Sequence, residues 1–247
     1  MTDYSKIQTY PELVKAAQHE YKRRLQDGTF EKFKKVKYVP CKTWEKSNQI
    51  NLWTFFQGCQ LYDSLGKEPI DILLVGQDWG NPSSDNVSII KIENGSEVTY
   101  NEYNPSDRNL IKMFDVLDLH IDKENPGSRI FFTNYSLGYR EGSETGGMTK
   151  GMMKLDSDAF DALVRIIKPK NIICLGKIVY EMVTGNVVKG FLNTMKSGKC
   201  LYTDMEGIKV FGVPHPGARG LNNLGTGNEA GNIAKMEEIW RAVKHRM

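Results

Sequence analysis

The chain has 247 residues, of which 40% are hydrophobic and 26% charged, with a formal net charge of +3. That is enough apolar material for one sizeable globular domain, alone or with appendages. No run approaches the about 18 apolar residues of a membrane span and the Met-Thr-Asp-Tyr-Ser start does not read as a signal peptide, so the expectation is a soluble, cytoplasmic protein without membrane attachment.

The four cysteines, Cys41, Cys59, Cys174 and Cys200, form no CxxC pair. Scattered cysteines of this kind read as reduced and buried, and a metal site using all four requires the fold to gather them. Charge is unevenly placed. Residues 11–46 carry ten Lys or Arg against five Asp or Glu, and the remainder is slightly acidic. Such a segment fits either phosphate contact or a solvated helix face.

Along the chain, Pro11–Leu25 places Leu13, Val14, Ala17, Tyr21 and Leu25 near helical spacing, and Asp27-Gly28 ends the helix. A weaker amphipathic stretch follows over Phe30–Val36, so residues 1–50 read as a mostly helical N-terminal extension and residues 51–247 as the main domain. Asn51–Leu61 is rich in aromatics that suit core packing.

Ile70–Val75 is a run of branched aliphatics, the pattern of a strand buried on both faces. It gives way to Gly76-Gln-Asp-Trp-Gly80. A buried strand that ends in a Gly-flanked polar loop is where an open α/β sheet presents ligands, which makes Gln77 and Asp78 candidate site residues. The same residues also fit a plain turn with Asp78 as a helix N-cap.

The polar segment 81–106 has the length of a binding loop, with room for a hairpin across Asn94-Gly95. Ser106 then caps a helix bearing Leu110, Ile111, Phe114 and Leu117 on one face. Arg129–Thr133 is a second buried strand, followed by Asn134, and a glycine-rich connection spans 141–151. Asp156–Ile167 reads as an amphipathic helix, Asn171–Leu175 as a strand and Lys177–Val183 as a short helix. Lys199–Asp204 and Ile208–Val213 are strands joined at Glu206-Gly207, and Ile233–Val243 is a closing helix. Alternating strands and helices predict a three-layer α/β/α fold with a central, mostly parallel, four-stranded sheet. Three of those four strands turn polar at their carboxyl ends, at Gln77-Asp78, Asn134 and His215. No GxGxxG or GxxxxGK[ST] motif is present, so neither a dinucleotide nor a P-loop site is indicated.

These three motifs together resemble the uracil-DNA glycosylase superfamily. Gly76-Gln-Asp-Trp-Gly80 is similar to its water-activating motif, Phe132-Thr-Asn134 to its base-reading motif, and His215-Pro-Gly-Ala-Arg219 to the His-Pro-Ser motif before its DNA-intercalating loop. Ile172-Ile-Cys-Leu-Gly176 also resembles a superfamily strand. The likeness covers about residues 70 to 220. It departs at Trp79, where relatives carry proline, and at Gly217, where they carry a serine that contacts DNA phosphate. The close CxxC of the iron–sulfur members is absent, so no cofactor or metal is expected.

The resemblance implies a uracil-DNA glycosylase-like hydrolase acting in base-excision repair, a monomer whose partner is DNA bearing a deaminated or damaged base. It implies Asp78 and His215 as catalytic residues, with Gln77, Asn134 and a stacking Tyr103 (Tyr100 being the second candidate) as base-binding ones. Arg219 and Leu221 stand where relatives insert a side chain into DNA, although a loop leucine also fits inward packing. The competing reading, favoured by Trp79 and Gly217, is a non-catalytic nucleic-acid- or nucleotide-binding protein that keeps the fold.

Overall fold

In a computed structural model of the chain, residues 2–33, 37–40, 70–78, 105–120, 129–141 and 148–247 are described. The aromatic stretch 51–61, the hairpin expected at Asn94-Gly95, Trp79, Tyr100, Tyr103, Cys41 and Cys59 lie outside the described residues, as does most of the glycine-rich connection. In chain order the helices and strands are α1 (Tyr10–Gln26), β1 (Lys37–Pro40), β2 (Ile72–Gly76), α2 (Pro105–Val116), β3 (Ile130–Asn134), β4 (Gly138–Glu141), α3 (Lys150–Met153), α4 (Ser157–Ile167), β5 (Asn171–Leu175), α5 (Lys177–Thr184), α6 (Phe191–Lys196), β6 (Leu201–Met205), β7 (Ile208–Val213), α7 (Ala218–Asn222) and α8 (Glu229–Lys244).

The class is α/β. The larger sheet runs β3-β2-β5-β7-β6, five strands where four were expected. The additional strand is β6, which turns back at Glu206 and Gly207, both at positive φ, to pair antiparallel with β7. Positive φ at two successive turn residues matches the right-handed twist of a two-stranded ribbon and permits so tight a connection. β2 pairs parallel with β5, and β5 with β7. All residues of β2 and β5 are buried. A parallel strand needs apolar residues on both faces because helices cover both, which is why these strands lack polar alternation.

Contacts divide the chain into two compact units. One comprises Met1–Ile70, Gln77–Val98 and Phe131–Lys168, the other Asp71–Gly76, Thr99–Ile130 and Pro169–Met247.

In the first unit, α1 starts at a capping box. Thr9 Oγ1 accepts from Glu12 N–H at 3.4 Å while Glu12 Oε2 accepts from Thr9 N–H at 3.0 Å. Leu13, Val14, Ala17 and Tyr21 are buried as the spacing predicts. Leu25 is 55% exposed, since Arg24 takes the last inward position. Leu25→Ser is therefore expected to leave stability within about 0.5 kcal/mol of wild type, checked by denaturant titration. Within the extension over residues 1–50, expected to be mostly helical, Lys37–Pro40 form β1 and pair antiparallel with β4.

In the second unit, α2 begins one residue before Ser106. Pro105 takes the first helical position, where its missing N–H costs nothing, and leaves Ser106 inside the first turn. Asn228 caps α8, its Oδ1 accepting from Gly231 N–H at 2.8 Å. The ring of Phe114 on α2 meets that of Trp240 on α8 edge to face at 5.7 Å, inside a fully buried core.

Candidate functional site

The first unit carries Gln77, Asp78 and Asn134. Ser136 N–H donates to the Gln77 carbonyl at 3.0 Å, which joins the chain after β3 to the chain after β2. Gln77 and Asp78 are half-buried, and Gln77 Nε2 donates to Asp78 Oδ1 at 3.4 Å. Asn134 is 4% exposed, and its side-chain amide makes no hydrogen bond among the described residues. The buried polar atoms without a partner among the described residues are Asn109 Oδ1, Asn171 Oδ1 and Trp240 Nε1, so the Asn134 amide keeps its donor and acceptor open to solvent or a ligand.

Asp156 holds the turn that follows Asn134. Its Oδ2 accepts from Leu137 N–H at 2.8 Å, Tyr21 O–H at 2.8 Å and Ser136 O–H at 3.4 Å, and its Oδ1 accepts from Arg24 Nη1 at 2.7 Å. Arg24 also donates to the Leu155 carbonyl and to Glu20 Oε1, so α1 is tied to the turn through buried charge. Glu20 is held down to about 2, first by the hydrogen bond from Arg23 and then by the charge of Arg24. Sequence reasoning placed Asp156 only at a helix start and read Arg24 as one of a basic run. A lone acid beside a serine offers no signal that it will be buried.

The second unit carries His215, Arg219 and Leu221. β2, β5 and β7 are parallel, so their carboxyl ends share one edge of this unit's sheet, and His215 leaves β7 at that edge. Gly217 N–H donates to His215 Nδ1 at 2.9 Å. With Nδ1 accepting, the neutral ring carries its proton on Nε2. The protein mass around the ring pushes its pKa down to about 4. The residue still meets solvent, so the direction of the shift, towards the neutral form, is what its chemistry rests on.

Two glycines shape this turn by close approach. A Cβ on Gly220 lies 2.1 Å from the His215 carbonyl oxygen. A Cβ on Gly217 lies 2.8 Å from Ser106 Oγ and 3.0 Å from His215 Nδ1. The departure at residue 217 thus has a local cause, because the Ser106 hydroxyl and the imidazole occupy the space a serine needs. Gly217→Ala is expected to cost about 1–3 kcal/mol. Ser106→Ala removes one of the two obstructions, and a double-mutant cycle should show coupling above about 0.5 kcal/mol.

Arg219 is exposed on α7. Leu221, expected at the DNA stack, is 3% exposed and packs inward instead, its apolar side chain being better placed in the core than in water. Tyr103 lies outside the described residues. Cys174 is fully enclosed, and burial pushes its thiol far up; Cys200 is also raised by burial. Neither offers a thiolate nucleophile. Among the described residues no three His, Cys, Asp or Glu side chains gather as a metal site, and no helix is long and apolar enough to cross a membrane.

No family model matches the chain, and no curated protein matches it.

Proposed function

We propose that the protein hydrolyses the N-glycosidic bond of uracil or another deaminated base in DNA, as an uracil-DNA glycosylase-like enzyme of base-excision repair. The observation that carries this reading is the Asn134 amide, which ends β3 and makes no hydrogen bond among the described residues, in the unit that also holds Gln77 and Asp78. One amide offers a donor and an acceptor side by side, the complement of the N–H and C=O on the edge of uracil.

In the proposed reaction the C1′–N bond breaks with both electrons leaving on the base, and a water oxygen bonds to C1′. Positive charge grows on the sugar and negative charge on the base. Asp78, acceptor-only when ionised, stabilises the sugar cation and takes the proton of the attacking water. His215, neutral and protonated on Nε2, donates to the oxygen of the departing base; a donor of this kind contributes about 3–4 kcal/mol in the transition state. The Gln77 backbone N–H binds the base, Tyr103 stacks on it, and Arg219 faces the DNA backbone. The nucleotide must leave the duplex to reach these groups, at a few kcal/mol of unstacking.

The test is incubation with labelled oligonucleotides bearing uracil, hypoxanthine or a mismatch, followed by alkali cleavage. Strand scission at one of these bases supports the reading. A protein that binds DNA and leaves every such base in place is instead a binding module. Asn134→Asp separates recognition from chemistry, since it replaces the amide donor by a second acceptor. Residual base release should then drift from uracil towards cytosine, which presents an amino group where uracil has a carbonyl. Uniform loss on both bases would contradict the recognition role.

A further inference from the structure

Pro216 and Gly217 share one peptide group, and both of its polar atoms are engaged. The Pro216 carbonyl accepts a hydrogen bond from Asn109 Nδ2 at 2.8 Å, across 107 residues of sequence. The N–H of the same group, on Gly217, donates to His215 Nδ1 at 2.9 Å. Asn109 stands on α2, is 1% exposed, and has a buried Oδ1 without a hydrogen-bond partner. An apolar side chain of like volume fills such a place without stranding an acceptor. What the amide supplies here is therefore its N–H.

We propose that Asn109 is a positioning residue, which by pinning the Pro216–Gly217 peptide plane holds His215 as the Nε2–H tautomer and fixes the direction of that N–H. The plane needs pinning because residue 217 is glycine. The close approach of Ser106 and the imidazole excludes a side chain there, and a peptide leading into glycine turns over more easily than one restrained by a Cβ. The hydrogen bond to the Pro216 carbonyl stops that rotation from α2, an element outside the turn. It also polarises the peptide, which strengthens the Gly217 N–H as a donor. A flipped plane would point a carbonyl at Nδ1, draw the proton there, and turn Nε2 into an acceptor with nothing to give a departing base.

The consequence for catalysis rests on the glycosylase reading, whereas the tautomer does not, so the two are tested apart. The full chain, labelled with ¹⁵N in its histidines, is examined by imidazole correlation spectra near neutral pH, with hydrogen exchange of the Gly217 amide. The wild type is expected to show His215 with Nδ1 as a bare acceptor, Nε2 protonated, and a protected Gly217 amide. A wild type protonated at Nδ1 overturns the proposal without any variant.

Asn109→Leu removes the donor, and Asn109→Asp keeps the shape but replaces the donor with an acceptor. Both are expected to average the two tautomers and to speed Gly217 exchange at least about tenfold. On uracil DNA both should lower kcat about 10²-fold with little change in KM, the order of loss that follows misplacement of a reacting group. Full Asn109→Leu activity with unaltered His215 shifts overturns the positioning role. Absent base release in a wild type with the expected tautomer counts against the glycosylase reading alone.

Discussion

Replacing Asp78 by asparagine is expected to lower base release by roughly 10²–10⁴-fold while leaving DNA affinity nearly unchanged. Aspartate and asparagine are close in shape, so the half-buried position after β2 and the contact from Gln77 Nε2 survive the change. What is lost is the negative charge, and with it the group that accepts a proton from water and opposes the cation on the sugar. Neither interaction is strong in the ground state, where the sugar is uncharged, so the loss falls on kcat and spares binding. Single-turnover release from a uracil oligonucleotide and a parallel affinity measurement separate these terms. A binding module gives the reverse pattern, with no wild-type release and a change in affinity as the main effect of the substitution.

What the sequence made legible follows the range of the interactions involved. β2, β3, β5 and β7 were readable because branched runs bounded by Gly or Asn have a local cause in burial on both faces. α1 was readable from its spacing, except at Leu25, where apolar periodicity drifts past the contact and the buried residue is Arg24. β1 and β4 were missed because four-residue strands carry almost no periodicity and pair across about a hundred residues of chain. At the candidate site, His215 and Asn134 stood out as polar residues after apolar strands. Asn109 did not, because an asparagine within a helix looks like a surface residue until the turn it supports is in place. Gly217 was a departure from a motif on sequence grounds, and in the fold a Cβ there would lie 2.8 Å from the hydroxyl of Ser106, 111 positions earlier.

Asp156→Ala is expected to be the most destabilising single change in the first unit, at about 3–5 kcal/mol, because it removes one of the two carboxylates that pair the buried Arg24 guanidinium and the acceptor of three further donors at once. In a chain of this length that corresponds to a fall in Tm of roughly 6–20 °C. Asp156→Asn keeps an oxygen for Leu137 N–H and should lie between the alanine variant and wild type. The network also sets an acid limit. Glu20 titrates from an ordinary value of 4.5 when unfolded to about 2 when folded. A depressed carboxylate contributes its stability in full above 4.5 and loses it as pH falls through the folded value, so Tm should drop between about pH 4.5 and 2 and hold steady above. Glu20→Gln should flatten that drop. Because Asp156 also fixes Ser136 and Leu137, its loss frees the turn after Asn134, and base selectivity should relax at temperatures where the variant is still folded. An Asp156→Ala protein that melts within a degree or two of wild type would show that α1 is held by its apolar face alone, with the buried charges contributing little to the fold.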